Sequence, residues 1–219
     1  MALPKSLVLE LKKKFEVETF IETGTYYGNT AVWASSHFNT ITIEYARTIY
    51  DRTVEKYRHI TNINFLFGDS KVILKEIIPK LTQPAVIWLD GHWSAGETYG
   101  EGDECPVIGE IQSIVDSKYP HFIFIDDAHL FLSPPPKPHK IEEWPSIDMV
   151  ISALISGKHT YYIIISDNVI VAVPDYAKAF VSSYYQENNP QWKEPMAQSK
   201  TRKFSSLLRT IASLGHKSA

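Results

Sequence analysis

From Thr19 onward, short runs of β-branched and aromatic residues alternate with longer stretches whose apolar positions recur at helical spacing. This is the pattern of a strand followed by a crossover helix, repeated. The runs predict strands over residues 19–23, 40–44, 64–67, 85–90 and 122–126, with helices over 29–36, 47–59, 71–81 and 107–117 between them. A carboxylate ends or closely follows each of the five strands. Two further runs, 161–165 and 169–173, are separated by Ser166, Asp167 and Asn168, too few residues for a crossover, so they must pair antiparallel. A helix over 147–156 and a Pro-rich loop over 133–138, read as a stiff connection, precede them. The expected class is α/β: a doubly wound, mainly parallel sheet of about seven strands, with a terminal antiparallel hairpin and helices on both faces.

A chain of 219 residues, 44% of them hydrophobic, can enclose one substantial core. One domain over residues 1–219 is expected, with an N-terminal helix within 1–18 and a C-terminal extension over 175–219. In that extension Phe204, Leu207, Leu208, Ile211 and Leu214 share one helical face, read first as packing on its own domain and second as a contact with a membrane or with a second subunit in a homodimer. The first 15 residues are amphipathic, carry Lys12, Lys13 and Lys14, and lack the continuous apolar core of a signal peptide. No stretch is long and apolar enough to span a bilayer, and a cytoplasmic location is the expectation. A formal charge of −3 offers nucleic acid no global attraction, which leaves a small-molecule partner as the simpler fit. The single cysteine, Cys105, excludes an internal disulfide and a cysteine-based metal cluster.

In a sheet of this kind, ligands collect beyond the carboxyl ends of the strands where strand order reverses. Glu22-Thr23-Gly24-Thr25-Tyr26-Tyr27-Gly28-Asn29-Thr30 occupies that place after the first strand. Gly24 and Gly28 would admit close backbone approach, and the helix start beyond them offers N–H groups to a ligand. Glu44 follows Gly24 by about 20 residues, the separation at which an acid accepts from a ribose diol. The turn has neither the G-x-G-x-x-G spacing of a dinucleotide site nor the Gly-Lys-Ser/Thr of a P-loop, so a nucleoside ligand without pyrophosphate is preferred.

Asp90 follows one strand and Asp126-Asp127 follow its expected neighbour. Three carboxylates on one edge repel unless a cation or proton compensates, and oxygen ligands of this kind suit a hard divalent ion, Mg²⁺ first. The competing reading has Asp126 or Asp127 capping a turn. His92, two residues beyond Asp90, is the candidate general base; His129 is read as structural. Residues 94–105 are Gly-rich and acidic, with Glu97, Glu101, Asp103 and Glu104, and suit a lid or an ordinary solvated loop equally.

Over roughly residues 20–174 these features resemble the class I S-adenosylmethionine methyltransferases, a Rossmann-like family, and within them the metal-dependent O-methyltransferases. The Glu22 to Thr30 turn is similar to the E-x-G-x-x-x-G-x-S/T turn of catechol O-methyltransferase, Ile41-Thr42-Ile43-Glu44 to its ribose-binding strand end, and Gly68-Asp69-Ser70 to its adenine site. Asp90 with Asp126-Asp127 resembles the metal triad of the macrolide (macrocin) and aminocoumarin sugar O-methyltransferases. The resemblance implies S-adenosylmethionine bound by Glu22, Thr23, Gly24, Thr25, Tyr26, Thr30, Glu44, Tyr45, Asp69, Ser70 and Asp90. It also implies a divalent cation on Asp90, Asp126 and Asp127, and a small hydroxyl compound, a sugar by preference, as acceptor. The catechol enzymes place a lysine base shortly after the first metal ligand; here Gly91-His92-Trp93-Ser94 stands there, leaving His92 as the nearest base. Two other readings compete: a metal-dependent hydroxylase or hydrolase, and a nucleoside-binding module without catalysis.

Overall fold

The computed structural model describes residues 3–93 and 103–188. Its sheet has seven strands in the order β3-β2-β1-β4-β5-β7-β6. They are β1 (Thr19–Thr23), β2 (Asn39–Glu44), β3 (Ile63–Phe67), β4 (Ala85–Leu89), β5 (Phe122–Ile125), β6 (Tyr161–Ser166) and β7 (Val169–Pro174). The first five run parallel, and β7 pairs antiparallel with both β5 and β6. The helices are α1 (Lys5–Phe15), α2 (Asn29–Ser35), α3 (Arg47–Tyr57), α4 (Ser70–Ile77), α5 (Val107–Val115), α6 (His129–Leu132), α7 (Ile147–Ile155) and α8 (Lys178–Asn188). The expected doubly wound architecture is present.

Burial explains why the central strands read as unbroken apolar runs. Every residue of β4 and β5 is buried, because helices cover both faces of a parallel sheet and leave no position for a polar side chain. Ile21, Ile87, Leu89, Ile123 and Ile125 pack with Leu74, Ile111 and Ile114 into one cluster. At the amino-terminal edge His121 is wholly buried: its Nδ1 accepts from the Ala85 N–H at 3.0 Å and its Nε2 bonds Ser117 Oγ at 2.8 Å. Burial holds this imidazole down to about 4, so it is a neutral tie between strands.

Two element ends differ from expectation for local reasons. The helix expected over 71–81 ends at Ile77 and tightens into a 3-10 turn, Ile78–Lys80, because Pro79 has no N–H to continue the α ladder. The N-terminal helix begins only at Lys5, after Pro4, and closes at Glu16 in the left-handed region (φ 54°), whose N–H returns to Lys12 O.

The chain divides into two compact units, residues 1–178 and 179–219. The described part of the second is the continuation of α8, in which Tyr184 and Tyr185 meet edge to face. The apolar stripe expected at Phe204 to Leu214, and residues 94–102 of the expected lid, lie outside the described residues. Among the described residues no helix is long and apolar enough to cross a membrane.

Candidate active site

Strand order reverses between β1 and β4, whose carboxyl ends diverge to opposite crossovers. The turn after β1 is pinned there. Gly24 has φ +85°, and a Cβ on it would stand 2.2 Å from the Asp90 carbonyl oxygen. Gly28 has φ +77°, and a Cβ on it would stand 2.8 Å from the Tyr57 ring and 2.9 Å from Thr53 Cγ2 of α3. Both glycines are thus required by the chain's own packing, in addition to any approach by a ligand. Tyr26 also lies in the left-handed region, at φ 47°.

The acid ending β2 fixes this turn. Glu44 is buried; its Oε2 accepts from the Tyr26 N–H at 2.9 Å and its Oε1 from the Ala46 N–H at 2.8 Å. Beneath it the Thr25, Thr42 and Glu22 side chains form a relay. Thr42 Oγ1 donates to Glu22 Oε2 at 2.7 Å, and the Thr25 and Thr42 hydroxyls meet at 2.6 Å. Burial, opposed by the Thr42 bond and aided by the charge of Asp90, pushes the Glu22 carboxyl up to about 8; the Thr30 hydroxyl also lies close. Asp69 caps α4, accepting from the Lys71 N–H at 2.8 Å, while Ser70 is buried behind it and Tyr45 stands exposed at the rim.

The raised carboxyl of Glu22 has a measurable consequence. Unfolded, it releases its proton near the ordinary 4.5; folded, it keeps the proton to about 8. Its contribution to stability is therefore complete below the lower value and drains away as pH climbs to the upper one. Glu22→Gln is expected to flatten that decline by up to about 1.4 kcal/mol per pH unit, measured by urea unfolding of the apo protein across the window.

The second half of the site follows β4 and β5. The Asp90 N–H donates to Thr23 O at 3.2 Å, and the Asp126 N–H to Leu89 O at 3.0 Å, so backbone bonding staggers three acids around one imidazole. His92 is buried; its Nε2 meets Asp127 Oδ2 at 3.1 Å, while its Nδ1 stands 3.9 Å from Asp90 Oδ1. Burial alone would lower the His92 pKa, but the Asp127 bond and the charges of Asp90, Asp127 and Asp126 outweigh it, and the net shift is upward. Asp127 is pulled below its ordinary value chiefly by the same bond. Burial pushes Asp126 up. Asp90 is pushed up by burial and by its two acidic neighbours against the pull of His92, and solvent still reaches 36% of its side chain.

The acids and His92 read from the sequence therefore meet at one place. Their donor chemistry, three hard oxygens on one edge, fits a divalent cation in kind. Among the described residues, however, no three side chains already stand as a ligand set: His92 and Asn168 occupy the two oxygens of Asp127, and the Asp127 N–H occupies Asp126 Oδ1. His129 is 60% exposed, and its N–H and Nδ1 both bond Asn168 Oδ1, at 2.8 and 2.9 Å.

Three contributors were not read from the sequence. Asn168 donates its Nδ2 to Asp127 Oδ1 at 3.0 Å from the β6–β7 turn. Trp144 packs edge-on to His92, with ring centres 5.4 Å apart. Glu104, expected in an acidic stretch that suits a lid or a solvated loop equally, is 3% exposed. Its Oε2 accepts from Trp144 Nε1 at 2.8 Å, the Lys140 N–H at 3.1 Å and His139 Nδ1 at 3.2 Å, which replace the water it loses. His139 in turn lies edge-on to Trp93.

No family model matches the chain, and no curated protein does. Solved structures are similar to it. The SAH-bound methyltransferase PaMTH1 of Podospora anserina superimposes with a TM-score of 0.55 at 16% identity, covering 80% of each chain. A candidate rRNA methylase of Clostridium thermocellum gives 0.55 at 10% identity, over 80% of this chain and 98% of the other. At such identities the likeness shows a shared fold.

Proposed function

We propose that the chain is an S-adenosylmethionine-dependent methyltransferase that transfers the methyl group to a hydroxyl of a small molecule. The observation that carries this reading is the acidic edge at the strand-order reversal. Burial pushes Glu22 up to about 8 and Asp90 up to about 7 there, and shifts Asp126 upward at the end of the neighbouring strand, a cost that a cationic ligand would relieve. The sulfonium and ammonium groups of the cofactor supply such charge, and its uncharged nucleoside end needs no phosphate loop. The same fold in the SAH-bound fungal methyltransferase supports the reading.

The chain's own residues then have definable work. Glu44 holds the Tyr26 backbone, Gly24 lets β1's turn meet β4's, and Asp69 with Ser70 forms the far wall. Asp127 orients His92 by taking its Nε2–H, which leaves Nδ1, beside Asp90, as the nitrogen able to accept a proton. Bound there, S-adenosylmethionine would supply an activated methyl group, and His92 Nδ1 would accept the proton of the acceptor hydroxyl. Asp90, Asp126 and Asp127 would hold a divalent cation such as Mg²⁺, whose charge would lower the pKa of the acceptor hydroxyl. Trp93, His139 and the buried Trp144 form an aromatic cluster near His92, and the part-exposed Trp93 would offer the C–H face of a sugar ring a stacking surface.

The test is transfer of a labelled methyl group from S-adenosylmethionine to a panel of sugar nucleotides and phenols. With Mg²⁺ present, a sugar is expected to be labelled, and chelation or Asp126→Ala should lower the rate by about 10²-fold or more. Full activity under chelation would remove the cation from the account, and labelling of phenols alone would remove the sugar.

A further inference from the structure

Beneath the turn of residues 90–92 lies a buried carboxyl that the mechanism does not use. Glu110, on α5, is 1% exposed, and its Oε1 finds no hydrogen-bond partner among the described residues. Burial pushes the Glu110 carboxyl up to about 7 against the pull of the nearby Ser70 and Thr23 hydroxyls, neither of which meets Oε1 in bonding geometry, and Ser70 Oγ is itself unpartnered among the described residues. Leaving a buried acceptor empty is costly, so a side chain retained in that state calls for a partner other than the described residues.

The surroundings indicate what that partner is. A Cβ on Gly91 would lie 3.3 Å from Glu110 Oε1 and 3.2 Å from Thr23 Oγ1, so the carboxyl sits directly under the turn. Beside it is a partly open cavity of about 10 Å³, about the least room one water needs, lined by Gly91, His92 and Glu110 together with apolar residues such as Leu89, Ile125 and Phe131. We propose that Glu110 is the positioning residue of the 90–92 turn, and that it grips the turn through one water held in this cavity. The inference rests on the reading above only in taking that turn, with Asp90 and His92, as the seat of the reaction. A polar contact from below would hold His92 in place without touching the acceptor, which leaves both imidazole nitrogens for Asp127 and the transferred proton.

High-resolution crystals of the full chain should show a water within hydrogen-bonding reach of Glu110 Oε1; a dry cavity would overturn the proposal. Amide exchange gives a second reading. The Asp90 and Trp93 N–H groups flank the turn and are bonded to Thr23 O and Glu104 O. In Glu110→Leu both should exchange about tenfold faster while β5 amides keep wild-type protection, and Glu110→Gln, which retains an acceptor oxygen, should restore them. Faster exchange everywhere would reduce Glu110 to general support of the fold, and unchanged exchange at 90 and 93 would also refute the grip. Whether the wild-type protein binds S-adenosylhomocysteine is a separate measurement, so failure of the functional reading and failure of this one remain distinguishable.

Discussion

Replacing Gly24 with alanine is expected to destabilise the protein by about 2–4 kcal/mol and to abolish nucleoside binding. The residue has φ +85°, where a side chain is strained, and the added Cβ would stand 2.2 Å from the Asp90 carbonyl oxygen and 3.2 Å from Gly91 Cα. These neighbours are backbone, so no rotamer change relieves the clash. One strand end must move, and the two in question are those that flank the reversal of strand order. Moving them breaks the bond from the Asp90 N–H to Thr23 O and displaces Asp90 from His92. Thermal unfolding and calorimetry on Gly24→Ala measure both effects; a variant as stable as wild type would show that the close approach is not a constraint.

Removal of the proposed base should act on rate alone. His92→Ala is expected to lower kcat by about 10²–10⁴-fold while leaving affinity for S-adenosylhomocysteine nearly unchanged. The imidazole is bonded to Asp127 and packed on Trp144, and of the proposed cofactor contacts only Asp90 is near, at 3.9 Å and without a hydrogen bond that the substitution would break. The pH profile adds a signed check. Because its acidic partners raise the His92 pKa, the base is neutral only above the ordinary histidine range, and activity should fall as pH drops through that raised value. Asp127→Asn removes the negative charge behind the bond that contributes most to the rise, so the acid limb should move to lower pH. A limb that stays in place would assign it to another group.

The parts of this arrangement that were legible in the sequence are those set by local pattern. Apolar runs such as Phe122-Ile123-Phe124-Ile125 mark strands buried on both faces, and the acid after each run falls at the carboxyl edge because every parallel strand points the same way. That is enough to place Glu22, Glu44, Asp69, Asp90 and Asp126 on one rim. It does not reveal Asn168. The β6–β7 hairpin is evident from its spacing, but only insertion of β7 between β5 and β6, with Ile125 opposite Ile170, carries the hairpin's turn to the end of β5 beside Asp127.

Glu104 and Trp144 were hidden for a related reason. Glu104 sits in an acidic stretch that composition reads as a lid or a solvated loop equally, and its burial depends on three donors supplied some 35–40 positions later, from His139, Lys140 and Trp144. Nothing periodic announces such a contact. The glycines show the converse limit, since Gly24 was read as room for a ligand and the structure gives it a second requirement, the Asp90 backbone.

Titration calorimetry of the wild-type chain with S-adenosylhomocysteine, repeated with Glu44→Ala and Asp90→Ala, tests the central claim most directly. The account predicts one site per chain, with affinity reduced about tenfold or more in each variant, since one braces the turn and the other lines the acidic edge. No heat of binding to the wild-type protein, or binding indifferent to both substitutions, would contradict it.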